Sequence, residues 1–88
     1  MKGKSSINKM KESIALIVYH LHHGNRSLGD QLIEDLKVLA IQMKPKIQQD
    51  VLMFAEQVLF QYDYDPWHSV TAEVQNAADQ LLNDLKSD

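Results

Sequence analysis

Apolar residues recur at intervals of three and four along almost the whole chain, and no stretch alternates apolar with polar residues as a half-buried strand would. This spacing predicts helices that each carry one apolar face. The few glycines and prolines lie where the pattern stops or starts, so they divide the chain into four helices. The residues predicted to face the core are Ile7, Met10, Ile14, Ile17, Val18 and Leu21; Leu28, Leu32, Leu36, Leu39, Ala40 and Met43; Ile47, Val51, Phe54, Ala55, Val58 and Tyr62; and Trp67, Val70, Val74, Ala77, Ala78, Leu81 and Leu85.

The first two helices are separated by a glycine and an asparagine. We expect the first helix to run from about Ser6 to His23 and to end at Gly24 and Asn25, which tolerate the left-handed conformation common at helix ends. The second helix is predicted to begin near Ser27, because Asp30 follows three residues later in an arrangement similar to a capping box.

Prolines indicate where the third and fourth helices begin. Pro45 suits the first turn of the third helix, and Asp65 with Pro66 can cap and start the fourth. Short connections make sequential helices antiparallel neighbours. We therefore predict an all-α, antiparallel, up-down four-helix bundle as a single domain over residues 1–88, with residues 1–5 as a flexible basic arm.

Length and composition limit the class of protein further. With 88 residues, the chain is near the size at which one core is only just sufficient for stability. It contains no cysteine, which excludes disulfides and thiolate metal sites and fits a reducing cytoplasm. No stretch approaches the roughly 18 consecutive apolar residues of a membrane span. We expect a soluble, cytoplasmic protein.

The charge is mildly acidic overall but unevenly distributed. A formal net charge of -3 argues against a dedicated nucleic-acid binder, which needs a basic surface. The N-terminal segment is nevertheless basic and the last quarter of the chain acidic, so the two ends can simply attract each other. Alternatively, the basic segment contacts anionic lipid headgroups, where each lysine contributes on the order of 1 kcal/mol. The candidate lipid-contacting residues are Lys2, Lys4, Lys9 and Lys11.

Several large apolar residues fall outside the predicted core faces. Leu16 and Tyr19 point away from the core on the first helix, and Met53 and Phe60 lie off to the sides of the third. Val38 and Ile41 similarly lie to the sides of the second helix. They either widen the buried faces of a small bundle or form a protein interface, with a second copy of the chain or with a different partner.

The segment YDYDPWH is the densest aromatic cluster in the sequence. It is interpreted either as a turn in which the tryptophan seals the core or as a recognition loop, since tyrosine and tryptophan often anchor interfaces. Together with the residues outside the core faces, it defines a candidate interaction surface of Leu16, Tyr19, Met53, Phe60, Tyr64 and Trp67.

Three of the four histidines lie in YHLHHGNRSLG, which suggests metal binding or phosphoryl transfer. His20 and His23 lie on one side of the first helix and could share a metal, whereas His22 points elsewhere. A third ligand would come from His68, Asp63 or Asp65. The recognised zinc spacings are absent, and histidine also suits the last turn of a helix because its partial positive charge complements the helix dipole. No metal or other cofactor is expected.

His20, Gly24 and Gly29 also resemble part of a histidine phosphotransfer domain, in which a helical bundle exposes a histidine. In that family the histidine lies in the middle of a helix and a lysine commonly precedes the first glycine. Here His23 takes the lysine position. No phosphate-binding glycine loop, nucleophile elbow or HExxH motif is present, so we expect no enzyme.

A family resemblance is carried by LGDQLIEDLKVLAIQMKPKIQQDVLMF, from Leu28 to Phe54. A leucine-rich amphipathic helix, a short Lys/Pro turn and a helix with valine and phenylalanine resemble the enterocin A immunity family, whose members protect lactic acid bacteria from class II bacteriocins. The resemblance implies an antiparallel four-helix bundle that acts without catalysis on the cytosolic side of the membrane, against a bacteriocin-bound receptor complex. A phosphotransfer-like signalling domain and a homodimeric regulatory or phage-encoded adaptor are the alternatives.

Overall fold

Four helices and no strand make up the part of the chain described by the structure, a computed structural model covering residues 2–64 and 70–86, with side chains from residue 6 onward. The helices are α1 (Lys2–His22), α2 (Arg26–Ala40), α3 (Pro45–Tyr64) and α4 (Ala72–Lys86). The most extensive packing is between α1 and α2 and between α3 and α4. The predicted all-α four-helix bundle is confirmed.

Each helix contributes one apolar face to a common core, as the sequence spacing predicts. The prediction is wrong at one turn of α2, where Leu28 is exposed and Ile33 is buried. Gly29, Ile33, Leu36 and Ala40 share the buried face at helical spacing, and Leu28 lies beside that face. The reason is the small size of Gly29, which brings its side of the first turn against α3 and turns Leu28 toward solvent.

The end of α1 is a glycine-based cap. Gly24 has a φ of 69°, as predicted for the residue that ends this helix. The Asn25 N–H donates to the His20 carbonyl at 2.8 Å, and the Gly24 N–H donates to the Leu21 carbonyl at 3.1 Å, which is the Schellman pattern. Two carbonyl groups at the end of the helix thereby gain partners, and the chain reverses into α2.

The first two helices start earlier than predicted. α1 already begins at Lys2, so the backbone of residues 2–5, which the sequence analysis assigned to a basic arm, forms its first turn. α2 begins at Arg26, with Asn25 at the N-cap, instead of at Ser27. The Schellman turn positions Asn25 at the start of the next helix, and this constraint decides the boundary although Asn25 makes no side-chain cap hydrogen bond.

α3 begins at Pro45, as predicted for a residue that lacks an N–H. Gln48, in the first turn, closes the preceding connection. Its Nε2 donates to the Met43 carbonyl at 2.7 Å and to the Ile41 carbonyl at 3.4 Å. A side chain of α3 therefore satisfies backbone acceptors just beyond the end of α2.

α4 starts later than predicted. It begins at Ala72, and the Thr71 hydroxyl accepts a hydrogen bond from the Val74 N–H at 3.3 Å, so Thr71 is the N-cap. The Thr71 N–H in turn donates to the Oε1 of Gln61, a fully buried residue of α3, at 2.9 Å. Val70, predicted to be helical, precedes the helix. The other residues predicted to start or seal this helix lie outside the described residues: Asp65, Pro66 and Trp67.

The turn between α1 and α2 is fixed to α3 by Tyr62. This buried residue donates its hydroxyl hydrogen to the Asn25 carbonyl at 3.0 Å, and burial raises the pKa of the phenol. Gly29 lies so close that a Cβ placed there would overlap the Tyr62 hydroxyl. The position therefore requires glycine because of space, and the close approach joins the α1–α2 pair to α3.

We predict that Gly29→Ala destabilises the protein by up to about 2 kcal/mol. Alanine would normally gain about 1 kcal/mol over glycine inside a helix, but forcing a methyl group against a buried ring costs about 1–3 kcal/mol. Urea denaturation monitored by circular dichroism measures the difference. In a Tyr62→Phe background the same substitution should be close to neutral, because the hydroxyl is the nearest atom. An equal loss in both backgrounds would contradict the explanation.

Candidate interaction surface

The outer face of α3 carries a row of exposed apolar side chains. Met53, Phe60 and Tyr64, which we call the α3 stripe, are 57%, 61% and 75% exposed. Their spacing places them on one side of the helix, opposite the buried Phe54 and Val58. The rings of Phe60 and Tyr64 contact each other, with centroids 4.5 Å apart. Three members of the predicted interaction surface therefore share one helix face.

An apolar groove lies between α2 and α3. Val38 and Ile41 of α2 and Leu52 of α3 are exposed and line this groove, which has a volume of about 360 Å³. Charged and amide side chains contribute the rest of the exposed lining: Glu34, Lys37 and Gln48. Val38 and Ile41 were predicted to lie outside the core faces. Leu52 was missed, although it falls outside the apolar face of α3 that Val51 and Phe54 share.

A second groove, between α3 and α4, borders the α3 stripe. Met53 lines it together with Asp50 and Gln57, and α4 contributes Glu73 and Gln80 among its polar residues. Its volume is about 320 Å³. Met53 thus belongs both to the stripe and to the lining of this second groove, in which acidic and amide side chains surround it.

Leu16 and Tyr19, the other described members of the predicted surface, lie on α1. Both are exposed, and the Tyr19 ring contacts two histidines of its own helix end, His20 and His23, with centroids 5.3 and 4.4 Å apart. The structure therefore groups the α3 members of the predicted surface and leaves Leu16 and Tyr19 on a different helix. Trp67 lies outside the described residues.

The basic residues of α1 are distributed around the helix. Lys9 is exposed and lines an α1–α2 groove together with Glu12 and Asp35, whereas Lys11 is half-buried. The side chains of Lys2 and Lys4 lie outside the described residues. The positive charge of Lys9 is therefore close to two acidic side chains that line the same groove.

The histidine segment is the end of a helix. His20 lies in the last turn of α1, which ends at His22, and the rings of His22 and His23 meet edge to face at 5.3 Å. Within the described ranges, no group of three or more His, Cys, Asp or Glu side chains could hold a metal ion. A phosphotransfer histidine lies in mid-helix, which differs from the position of His20.

Asp63, proposed above as a metal ligand, is engaged with Arg26. The Arg26 guanidinium donates to the Asp63 carboxylate, which raises the pKa of Arg26, and it also lies 3.7 Å from Asp30. The same guanidinium lies 5.8 Å from the centroid of the Tyr62 ring. These exposed ion pairs contribute little individually, but they join the start of α2 to the end of α3.

A pair of carboxyl groups between α3 and α4 escaped the sequence analysis. Asp84 is buried on the apolar face of α4, where its position between Leu81 and Leu85 was the available signal. Its Oδ1 lies 3.4 Å from the Lys46 Nζ. Burial, followed by the adjacent Asp84, raises the pKa of Asp50 to about 6.

Comparison with known protein families, curated proteins and solved structures finds no match for this chain. Over residues 2–64 and 70–86, each helix is too short or too polar to cross a membrane. The fold and the surface thus define a four-helix bundle with an exposed apolar stripe on α3.

The chain contains two phenylalanines, and they test the orientation of α3. Phe54 is fully buried and Phe60 is mostly exposed. We predict that Phe54→Ala lowers the free energy of unfolding by about 3–5 kcal/mol, whereas Phe60→Ala changes it by about 0.5 kcal/mol or less. Chemical denaturation measures both variants under the same conditions. Similar losses at the two positions would contradict the assigned orientation.

Proposed function

We propose that this protein acts by protein–protein contact and without catalysis, as a bacteriocin immunity protein on the cytosolic side of the membrane. The observation that carries the proposal is the α3 stripe, Met53, Phe60 and Tyr64, beside the apolar α2–α3 groove. Its partner is a protein, and a receptor complex that has bound a bacteriocin is the partner implied by the family resemblance.

The chemistry of the stripe suits a binding surface. Methionine and aromatic residues are enriched at protein interfaces, where tyrosine and phenylalanine bury large areas with few rotatable bonds. The unbranched methionine side chain adapts to irregular partners. In a small bundle, three such residues on one helix face offer a contact area whose removal from water favours association.

The resemblance to the immunity family covers part of the same surface. The segment from Leu28 to Phe54 comprises most of α2 and the first half of α3. It therefore includes Val38, Ile41 and Leu52, which line the α2–α3 groove, and Met53, which begins the stripe. The segment that resembles the immunity family therefore contains several of the exposed apolar residues to which we assign binding.

A basic α1 is consistent with action close to a membrane. Lys9 is exposed, and we propose that it acts with Lys2, Lys4 and Lys11 in peripheral contact with anionic lipid headgroups. Such contact would raise the concentration of the protein near a membrane-bound partner. The apolar stripe would then provide specificity.

We expect expression of the protein in a sensitive strain to protect it against at least one class II bacteriocin of a panel. Combined alanine substitution of Met53, Phe60 and Tyr64 should abolish protection without unfolding the protein, because all three side chains are exposed. Asn83→Ala, at an exposed polar position of α4 away from the stripe, is the control and should protect like the wild type. Survival at increasing bacteriocin concentration is the measurement. Absence of protection against every member of the panel would overturn the proposal.

Sedimentation equilibrium distinguishes a stripe that binds a different protein from a stripe that binds a second copy of the chain. We expect a monomer for the wild type and for the triple variant, since the proposal assigns the stripe to a different protein. A wild-type dimer that the triple variant converts to a monomer would assign the stripe to self-association instead. Both measurements use the purified full chain.

A further inference from the structure

Two carboxyl groups meet across the α3–α4 contact. Asp50 of α3 lines the same groove as Gln80 of α4, which donates to Asp84, and each carboxyl group shifts the pKa of the other; Asp84 is only 9% exposed. Like charges close to each other oppose each other strongly when both are removed from water. The pair is therefore stable in this arrangement only if something compensates one of the charges.

Asp84 has compensating partners. Its Oδ1 lies 3.4 Å from the Lys46 Nζ, and its Oδ2 accepts a hydrogen bond from the Gln80 Nε2 at 3.2 Å. The hydrogen bond with Asp50, followed by those from Gln80 and Lys46, lowers the pKa of Asp84. Asp84 is thus the member of the pair that retains its negative charge.

Asp50 is compensated differently. Its Oδ2 is buried and accepts no hydrogen bond, so the ionised form leaves a polar atom unsatisfied beside the charge of Asp84. A proton on Asp50 removes the repulsion and supplies a donor to the Asp84 carboxylate. The geometry itself therefore favours a neutral Asp50.

The charged groups around the pair support the same assignment. From α3, Lys46 lowers the pKa of Asp50, but burial and Asp84 outweigh it and raise that pKa to about 6. From α4, Glu73 lines the same groove as Asp50 and adds no positive charge. Among the described residues, α1 and α2 contribute no charged group to either pKa.

We propose that Asp50 and Asp84 form a proton-dependent clasp, which holds the C-terminal half of α4 against α3 when Asp50 is protonated and weakens when the proton leaves. The clasp borders the α3–α4 groove that Met53 also lines, so protonation would alter the surface beside the α3 stripe. The clasp is independent of the identity of the partner.

The direction of the pH dependence follows from the two pKa values. Since the pKa of Asp50 rises from 3.8 to about 6 on folding, its contribution to stability is complete below 3.8 and is lost as the pH rises through 6. Asp84, whose pKa is lowered from 3.8, contributes stability that is lost only as the pH falls below that value. Between about pH 4 and pH 7, the pair therefore makes the protein less stable as the pH rises.

Thermal unfolding of the full chain between about pH 4.5 and 7.5 tests the clasp with three proteins. The asparagine of Asp50→Asn keeps a donor for Asp84 at every pH. We expect this variant to match the wild type at the acid end, to melt at a higher temperature at pH 7.5, and to lose the part of the pH slope that lies between about pH 4 and pH 6. Asp79→Asn is the matched control, because Asp79 is an exposed α4 carboxylate that accepts from Gln75 four residues earlier, as Asp84 does from Gln80. It should retain the wild-type slope. An unchanged slope in Asp50→Asn would overturn the proposal.

A carbon-13 NMR titration of the wild-type carboxyl groups provides a readout that needs no variant. We expect the Asp50 signal to titrate with a midpoint near 6, and a midpoint near the ordinary value of about 4 would overturn the clasp.

Hydrogen exchange tests whether loss of the proton loosens the C-terminal half of α4. Amides from Leu81 to Lys86 should lose protection above pH 6, after correction for intrinsic exchange, while unchanged protection would contradict the loosening. None of these measurements involves a bacteriocin, so their outcome is separable from that of the proposed function.

Discussion

The close approach of Gly29 to Tyr62 joins the two halves of this protein. α1 packs mainly against α2 and α3 against α4, so the arrangement of the bundle depends on what connects these pairs. At this contact the absence of a side chain on Gly29 admits a buried tyrosine, whose hydroxyl donates to the backbone at Asn25. Arg26 and Asp63 add an ion pair beside it. Together with the buried apolar face of α3, the contact fixes the rotation of α3 about its own axis relative to α2, and the environment of the other α3 residues follows from that rotation.

Because its rotation is fixed, α3 presents three different environments around its circumference. Its core face holds Phe54 and Val58, and the side toward α4 holds Asp50 at the carboxyl pair. The outer face holds the α3 stripe, of which Met53 also lines the α3–α4 groove. A rotation of about 100°, which is one residue along the helix, would exchange these roles, so the exposed aromatic residues and the acid at the carboxyl pair both depend on the same rotation.

The sequence pattern predicts which apolar residues face the core better than it predicts which polar residues are buried there. The core residues of α1 and α3 follow directly from their spacing, and so does the role of Pro45 at the start of α3. Gln61 and Asp84 occupy positions on the apolar faces, yet a periodicity that counts only apolar residues treats both as solvent-facing. Their burial depends on partners from other elements, which are the Thr71 N–H for the glutamine and Lys46 for the aspartate.

The sequence by itself determined the class of fold, because helical periodicity with punctuating glycines and prolines is a local property that needs no knowledge of distant contacts. It also identified most members of the exposed apolar set, since phase along one helix depends only on that helix. Tertiary structure alone decided which exposed residues share a surface, why Leu28 is exposed while Ile33 is buried, and how Asp50 comes to lie beside Asp84. Each of these depends on the rotation and separation of two helices, which are set by the steric fit between their side chains and are encoded in no single segment.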